Sequence, residues 1–156
     1  MAEICERSRL RVCPERLWAE VSTMAGVNAE LRPWLRMTTP AAARAASIAD
    51  APLGEVAFVS WLLALGVLPF DRHALCLIRV EPERGFLERS SSWLQRVWEH
   101  ERTLTAIAGG TELVDRVRFE PRVGFTEALA RPIVAALFRH RHAQLRARHG
   151  ALDRRA

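Results

Sequence analysis

The sequence predicts an α+β fold in which an antiparallel sheet of six to seven strands packs around a long C-terminal helix, with two short helices after the first strand. Three observations predict it. Near the N-terminus an alternating polar and apolar segment changes abruptly to helical spacing. From Glu55 onward, long runs rich in β-branched and aromatic residues are broken by turn signals. After Gly124 an apolar stripe at helical spacing runs toward the end of the chain.

Residues Arg7 to Val12 alternate with the period of a half-buried strand. Pro14 then occupies a first helical position, and Leu17, Trp18, Val21 and Met24 share one face before Gly26 stops that helix. Asn28 suits an N-cap for a second short helix to Leu31, because Pro33 disfavours helical backbone at Arg32. The Ala-rich stretch Pro40 to Ala51 carries neither period. Strands are predicted at about Glu55 to Leu65, His73 to Glu81, Gly85 to Ser90, Arg96 to Ile107 and Thr111 to Pro121. Their connections are Pro69 to Arg72, Pro82 to Arg84, the Ser/Trp segment near Ser92, and a hairpin tip at Gly109-Gly110, where two glycines tolerate positive φ. Leu129, Ile133, Leu137 and Phe138 form the stripe of the terminal helix and Leu145 extends it. Pro132 marks either the start of that helix or a kink in it. The chain reads as one domain over residues 1–156, with 149–156 as a flexible tail.

Composition narrows the function. All 23 basic residues are arginine, so the formal charge of +5 reflects replacement of Lys by Arg throughout, and many arginines alternate with Glu or Asp. No DNA or RNA partner is expected. From Arg131 onward Arg139, Arg141, Arg146, Arg148, Arg154 and Arg155 face only Asp153, which allows a weak membrane-surface contact through the terminal helix. No apolar run reaches the length of a membrane span and no signal-peptide core is present, so a cytoplasmic location is expected. Cys5, Cys13 and Cys76 are scattered, and His140 and His142 stand two apart on a helix. Reduced, mostly buried thiols are expected, with no disulfide, metal or cofactor.

Several short segments carry a resemblance: Pro14-Glu15-Arg16-Leu17-Trp18, Pro33-Trp34-Leu35, Gly85-Phe86-Leu87-Glu88-Arg89, Trp98-Glu99-His100-Glu101-Arg102, Gly110-Thr111-Glu112-Leu113-Val114-Asp115, and Phe138 to Arg141. In this order they resemble the START and polyketide-cyclase (SRPBCC) superfamily of helix-grip proteins. The resemblance spans nearly the whole chain. It implies a sheet curled around the terminal helix, with a cavity between them that binds lipids, sterols, polyketides or quinones, or in which polyketides are cyclised and dehydrated. Relatives with the Trp-x-His pattern often carry a second His where this chain has Arg102.

With Gly109-Gly110 as the tip, Arg102 lies opposite Val117, His100 opposite Phe119 and Leu104 opposite Asp115. Trp98, His100, Arg102, Leu104, Asp115, Val117 and Phe119 then share the inner face, while Glu99, Glu101, Arg116 and Arg118 face solvent. The expected ligand contacts are Trp98, His100, Arg102, Asp115 and Phe119 from the sheet, with Leu137 and Arg141 from the helix. Trp18, Trp34, Trp61 and Trp93 serve either the cavity wall or ordinary core packing. Two readings of the polar trio stand. Arg102 and Asp115 form a self-satisfied structural pair beside an inert His100, or the three orient the polar end of a small hydrophobic ligand. Glu88 is either a surface residue or an inward carboxylate beside His100. In the second case His100, Asp115 and Glu88 are the candidate catalytic residues of a cyclase or dehydratase, with Arg102 stabilising an enolate.

Overall fold

The computed structural model describes residues 1–152. The chain runs β1 (Ala2–Leu10), α1 (Pro14–Val21), α2 (Met24–Leu31), β2 (Leu35–Met37), two 3-10 turns (Ala41–Ala43 and Ile48–Asp50), and β3 (Val56–Ala64). It continues through β4 (Leu68–Glu81), β5 (Gly85–Ser92), β6 (Gln95–Ile107), β7 (Gly110–Pro121), a third 3-10 turn (Gly124–Thr126) and α3 (Glu127–His149). The seven strands form one antiparallel sheet in the order β1-β7-β6-β5-β4-β3-β2, curled into a half-barrel with α3 in its grip.

The helical region divides one turn earlier than its apolar spacing suggests. Pro14 opens α1 as expected, but the helix ends at Val21 because Thr23 turns extended and its Oγ1 accepts the Gly26 amide at 3.1 Å, capping α2. Gly26 therefore lies inside α2, where a Cβ would strike the Glu20 carbonyl. Asn28 is also internal. Its amide pairs with both the carbonyl (2.9 Å) and the N–H (2.7 Å) of Met37, pinning β2, a short edge strand that the sequence pattern does not mark.

Two turns differ from the expected positions. The β3–β4 turn is Leu65-Gly66-Val67, with positive φ at Leu65 and Gly66, and Pro69 to Arg72 belong to β4. Pro69 is tolerated there because β4 pairs with β5 only from His73 onward, so its missing N–H interrupts no ladder on that side. The β6–β7 tip is Ala108-Gly109, which pairs Ile107 with Gly110 and sets Arg102 opposite Asp115, His100 opposite Val117 and Trp98 opposite Phe119. That is a slip of two from the expected register. An even slip preserves every facing, so the inner face is as predicted.

Gly85 opens β5 at φ 140°, and a Cβ there would strike the Arg102 carbonyl of β6. Gly85→Ala is expected to cost more than about 1 kcal/mol in urea unfolding. Gly66→Ala, with φ 77° but no atom within 4 Å of the new methyl, serves as the strain-only comparison and should cost less.

The buried apolar residues form two clusters, one around Leu10, Leu17, Leu77, Leu113 and Leu145, the other around Val117, Phe119, Val134 and Phe138. On β7 and α3 a polar layer separates them: Asp115 lies between Leu113 and Val117, and Arg141 and His142 lie between Phe138 and Leu145. The buried stripe of α3 is thus Val134, Phe138, Arg141, His142 and Leu145, while Leu129 and Ile133 are exposed, one notch around from the expected stripe. The helix starts at Glu127, ahead of Pro132, whose lost backbone bond falls near the solvated helix end.

The expected tail from His149 is tied down over its described part. The carbonyl of Gly150 accepts the Arg11 amide at 3.0 Å, Ala151 bridges Leu10, and the Leu152 amide donates to the Arg9 carbonyl at 2.9 Å. Residues 153–156, with Asp153, Arg154 and Arg155, lie outside the described residues. Cys5 and Cys13 are exposed and Cys76 is half-buried, all as free thiols, so the expectation of buried thiols is corrected. Trp34, Trp61 and Trp93 are exposed as well, and Trp18 packs in the core rather than on the cavity.

Candidate functional site

A cavity of about 330 Å³ lies between the sheet and the helices, a volume at the lower end of the range for small-molecule sites. Its wall is mostly apolar, with Leu31, Leu75, Phe86, Trp98, Leu137 and Phe138 among the contributors. Phe70, Leu94 and Ile133 line it while remaining at least 41% exposed, which marks its mouth.

A polar strip crosses the sheet floor. Glu88 on β5 stands directly opposite His100 on β6. Glu88 Oε1 accepts from His73 Nε2 at 2.6 Å and from Ser90 Oγ at 2.6 Å. Its Oε2 lies 3.8 Å from His100 Nδ1, too far for a hydrogen bond. Glu88 is only 7% exposed, so its surface reading is corrected: even positions of β5 turn inward, carrying Phe86, Glu88 and Ser90 together. Asp71, also on the cavity wall, accepts from Ser92 Oγ at 2.7 Å and from backbone amides.

Behind His100 lies a sealed ion cluster. Arg102 donates to Asp115 through Nε (2.7 Å) and Nη2 (2.7 Å), and to Glu30 through Nη1 (2.8 Å) and Nη2 (2.9 Å). Both carboxylates and the guanidinium have 0% side-chain exposure. Asp115 also accepts from His100 Nε2 at 2.9 Å and His142 Nε2 at 3.0 Å, so each of its oxygens takes two donors. Because an ionised carboxylate only accepts, both imidazoles carry hydrogen on Nε2. His142 Nδ1 then pairs with Ser8 Oγ at 2.8 Å, whereas His100 Nδ1 is left toward the cavity. Arg141 joins from α3, donating Nε to Glu30 at 2.9 Å, with its guanidinium carbon 4.8 Å above the Phe138 ring.

Burial drives each of these groups toward neutrality, and the partners overrule it. Burial pushes the Glu30 and Asp115 carboxyls up, but Arg102, with Arg141 beside Glu30 and His100 beside Asp115, holds both below their ordinary values, Asp115 well below. The Arg102 guanidinium is correspondingly held more firmly protonated, since its two carboxylates outweigh desolvation. Glu88 is also held low, its burial outweighed by the imidazoles of His100 and His73. For His73, desolvation favours the neutral ring, but the hydrogen bond to Glu88 and its charge win, raising the pKa above the ordinary 6.5. Arg102 and Arg141 thus match Glu30 and Asp115, and His73 pairs with Glu88. In an NMR titration the His73 ring is expected to change protonation above pH 6.5, and Glu88→Gln should move that midpoint down.

Of the residues expected at the site, Trp98, His100, Leu137, Arg141 and Glu88 line the cavity. Arg102, Asp115 and Phe119 do not. Each is 0% exposed, Phe119 in the apolar core and the other two in the ion cluster, so direct ligand contact by these three is corrected. Sequence reasoning missed Glu30, His73 and His142. An acid on a short helix reads as solvated, and the spacing of His142 from His140 suits no metal clamp, which leaves its burial unmarked. Among the described residues no three of His, Cys, Asp and Glu are placed to hold a metal ion, and no helix is long and apolar enough to cross a membrane.

A curled antiparallel sheet gripping a long C-terminal helix, with a cavity between them, defines a helix-grip α+β protein. The chain belongs to the family described as Domain of unknown function (DUF8410), whose model matches residues 8–149. No curated protein matches it in sequence. Similar solved structures include protein CV1439 from Chromobacterium violaceum, at 14% identity and TM-score 0.73, covering 96% of this chain and 98% of that one. A START superfamily protein from Mycobacterium smegmatis aligns at 9% identity and TM-score 0.65, over 94% of this chain and 96% of that one. DynU16, from the dynemicin biosynthetic locus, aligns at 17% identity and TM-score 0.57, over 97% of this chain and 50% of that one. At these identities the likeness shows a shared fold.

Proposed function

We propose that the chain is a single-domain, cytoplasmic protein of the START and polyketide-cyclase kind that binds a small, mostly apolar ligand between the sheet and α3. The observation that carries this reading is the cavity itself: an apolar wall with a short strip of converging polar groups, His73, Glu88, His100 and Arg141, fits the composition of small-molecule sites. Arg102 is sealed behind Glu30, so the ligand-orienting role expected of it passes to Arg141. Native mass spectrometry of purified protein, followed by denaturation, tests the reading. Release of a stoichiometric apolar molecule is the expected result, and protein that neither carries nor takes up any such molecule would overturn it.

A second reading, proton transfer on a bound substrate, is favoured by one geometry. Asp115 fixes His100 with its Nε2 hydrogen inward, leaving Nδ1 and the Glu88 carboxylate 3.8 Å apart on the same wall. Under that reading His100→Ala abolishes turnover of a polyketide-like substrate while its thermal unfolding remains cooperative.

A further inference from the structure

We infer that the polar end of the ligand is a hydrogen-bond donor, a hydroxyl or an ammonium group, seated between His100 Nδ1 and Glu88 Oε2. This rests on the binding reading above and names the chemical class that the cavity selects.

The argument begins with what the polar groups have already committed. Glu88 Oε1 is filled by His73 and Ser90, and His100 Nε2 is filled by Asp115. Among the described residues, Glu88 Oε2 and His100 Nδ1 make no hydrogen bond. They belong to side chains only 9% and 4% exposed, and they face each other at 3.8 Å. Neither is among the fully buried unpaired atoms, so both open onto the cavity, where a ligand's polar end can take the place of water. The carboxylate oxygen accepts only. The imidazole nitrogen accepts in the neutral ring and donates in the charged one.

An ammonium group donates to both positions. A hydroxyl donates to Glu88 and accepts from, or shares its hydrogen with, His100. A ketone or ether leaves Glu88 unmet. A carboxylate would add negative charge beside Glu88, with Asp115 immediately behind His100, and no excess positive charge offsets it. Arg102 and Arg141 are already matched by Glu30 and Asp115. The adjoining wall suits the rest of such a ligand, because Phe86 and Phe138, both on the cavity, each set their ring 5.1 Å from the His100 ring. An aromatic or aliphatic body beside the donor would therefore meet apolar surface at once.

Four probes of one bicyclic shape test the inference by calorimetric titration of protein stripped of ligand by unfolding and refolding: naphthalene, 2-naphthol, 1-naphthylmethylammonium and 2-naphthoate. The hydroxyl and ammonium probes are expected to bind at least about ten-fold more tightly than naphthalene, the equivalent of about 1.4 kcal/mol, with 2-naphthoate no tighter than naphthalene. In Glu88→Gln the ammonium probe should bind no more tightly than naphthalene. In the wild-type protein, 2-naphthol should also shift the nitrogen resonance of His100 Nδ1, a readout independent of whether the variant folds. Binding of 2-naphthoate as tight as 2-naphthol, or an unmoved His100 resonance on saturation, would overturn the donor assignment while leaving the binding reading intact. Failure of all four probes, naphthalene included, would overturn both.

Discussion

Replacing Arg102 with methionine is expected to remove about 3–5 kcal/mol of unfolding free energy, measured by urea unfolding followed through tryptophan fluorescence. The magnitude follows from what remains. Methionine fills much of the arginine's volume, but Glu30 loses both hydrogen bonds from the guanidinium and Asp115 loses two of its four donors, in a site that excludes water. Glu30 keeps Arg141, and Asp115 keeps His100 and His142, so neither is stripped bare. A loss of that size is a large share of the stability of an ordinary domain. The combined variant E30Q/R102M/D115N removes the two stranded carboxylates, leaving Arg141 at the cavity wall as the remaining charge, and should recover part of the loss, since a buried ion cluster often contributes little beyond neutral groups of similar shape. A cost below about 1 kcal/mol for R102M would mean that water reaches the carboxylates and that the layer is not sealed.

Acid should produce the second large effect. Glu30, Asp115 and Glu88 are buried and held below their ordinary values of 4.5, 3.8 and 4.5. A carboxylate with a depressed folded-state pKa contributes stability that is complete above its unfolded value and is lost as pH falls through the folded value. Unfolding free energy is therefore expected to fall by about 2 kcal/mol or more between pH 6 and pH 3. His73 acts in the opposite sense. Its raised pKa gives stability that is complete below 6.5 and lost as pH rises through the folded value. In R102M the acid loss should shrink, because Glu30 and Asp115 are then closer to protonated in the folded protein. A wild-type stability that stays level from pH 6 to pH 3 would contradict the assignment.

The fold was largely legible because it depends on periodicity, and periodicity survives local error. The β6–β7 turn lies one position earlier than two consecutive glycines suggest, yet the resulting slip of two leaves His100, Arg102 and Asp115 on the face that alternation assigns them. Helix phase is less forgiving. On α3, Leu129 and Ile133 form as good a stripe as Val134 and Phe138, and what turns the helix toward the latter is the buried Arg141 and His142, which pattern reading counts as polar. The site was legible by strand and hidden by helix. His100 follows from parity along β6, whereas the facing of Glu88 stayed open between solvent and cavity because it depends on the β5–β6 register, which sets it opposite His100. Glu30 reaches Arg102 across 72 positions of sequence through the placement of α2, which depends on the Thr23 cap and the Asn28–Met37 clip. Nothing local to Glu30 distinguishes it from a solvated acid. Arg102 was legible as an inward charge, but whether it faced a ligand or a protein carboxylate depended on that distant residue.

The knot between Arg9, Leu10 and Arg11 and residues 150–152 bears on the order in which the chain is made. A ribosome delivers β1, Glu30 and the whole sheet before it delivers Arg141 and His142. Until then Glu30 and Asp115 lack part of their partners, and the wall that α3 contributes does not exist. The inner charges of the sheet stay open to water until the helix that seals the polar layer, which follows all seven strands, has emerged. The chamber and the charge cluster behind it are thus completed in one late step, and a stalled chain ending before α3 would display both the apolar wall and the unpaired carboxylates to the cell.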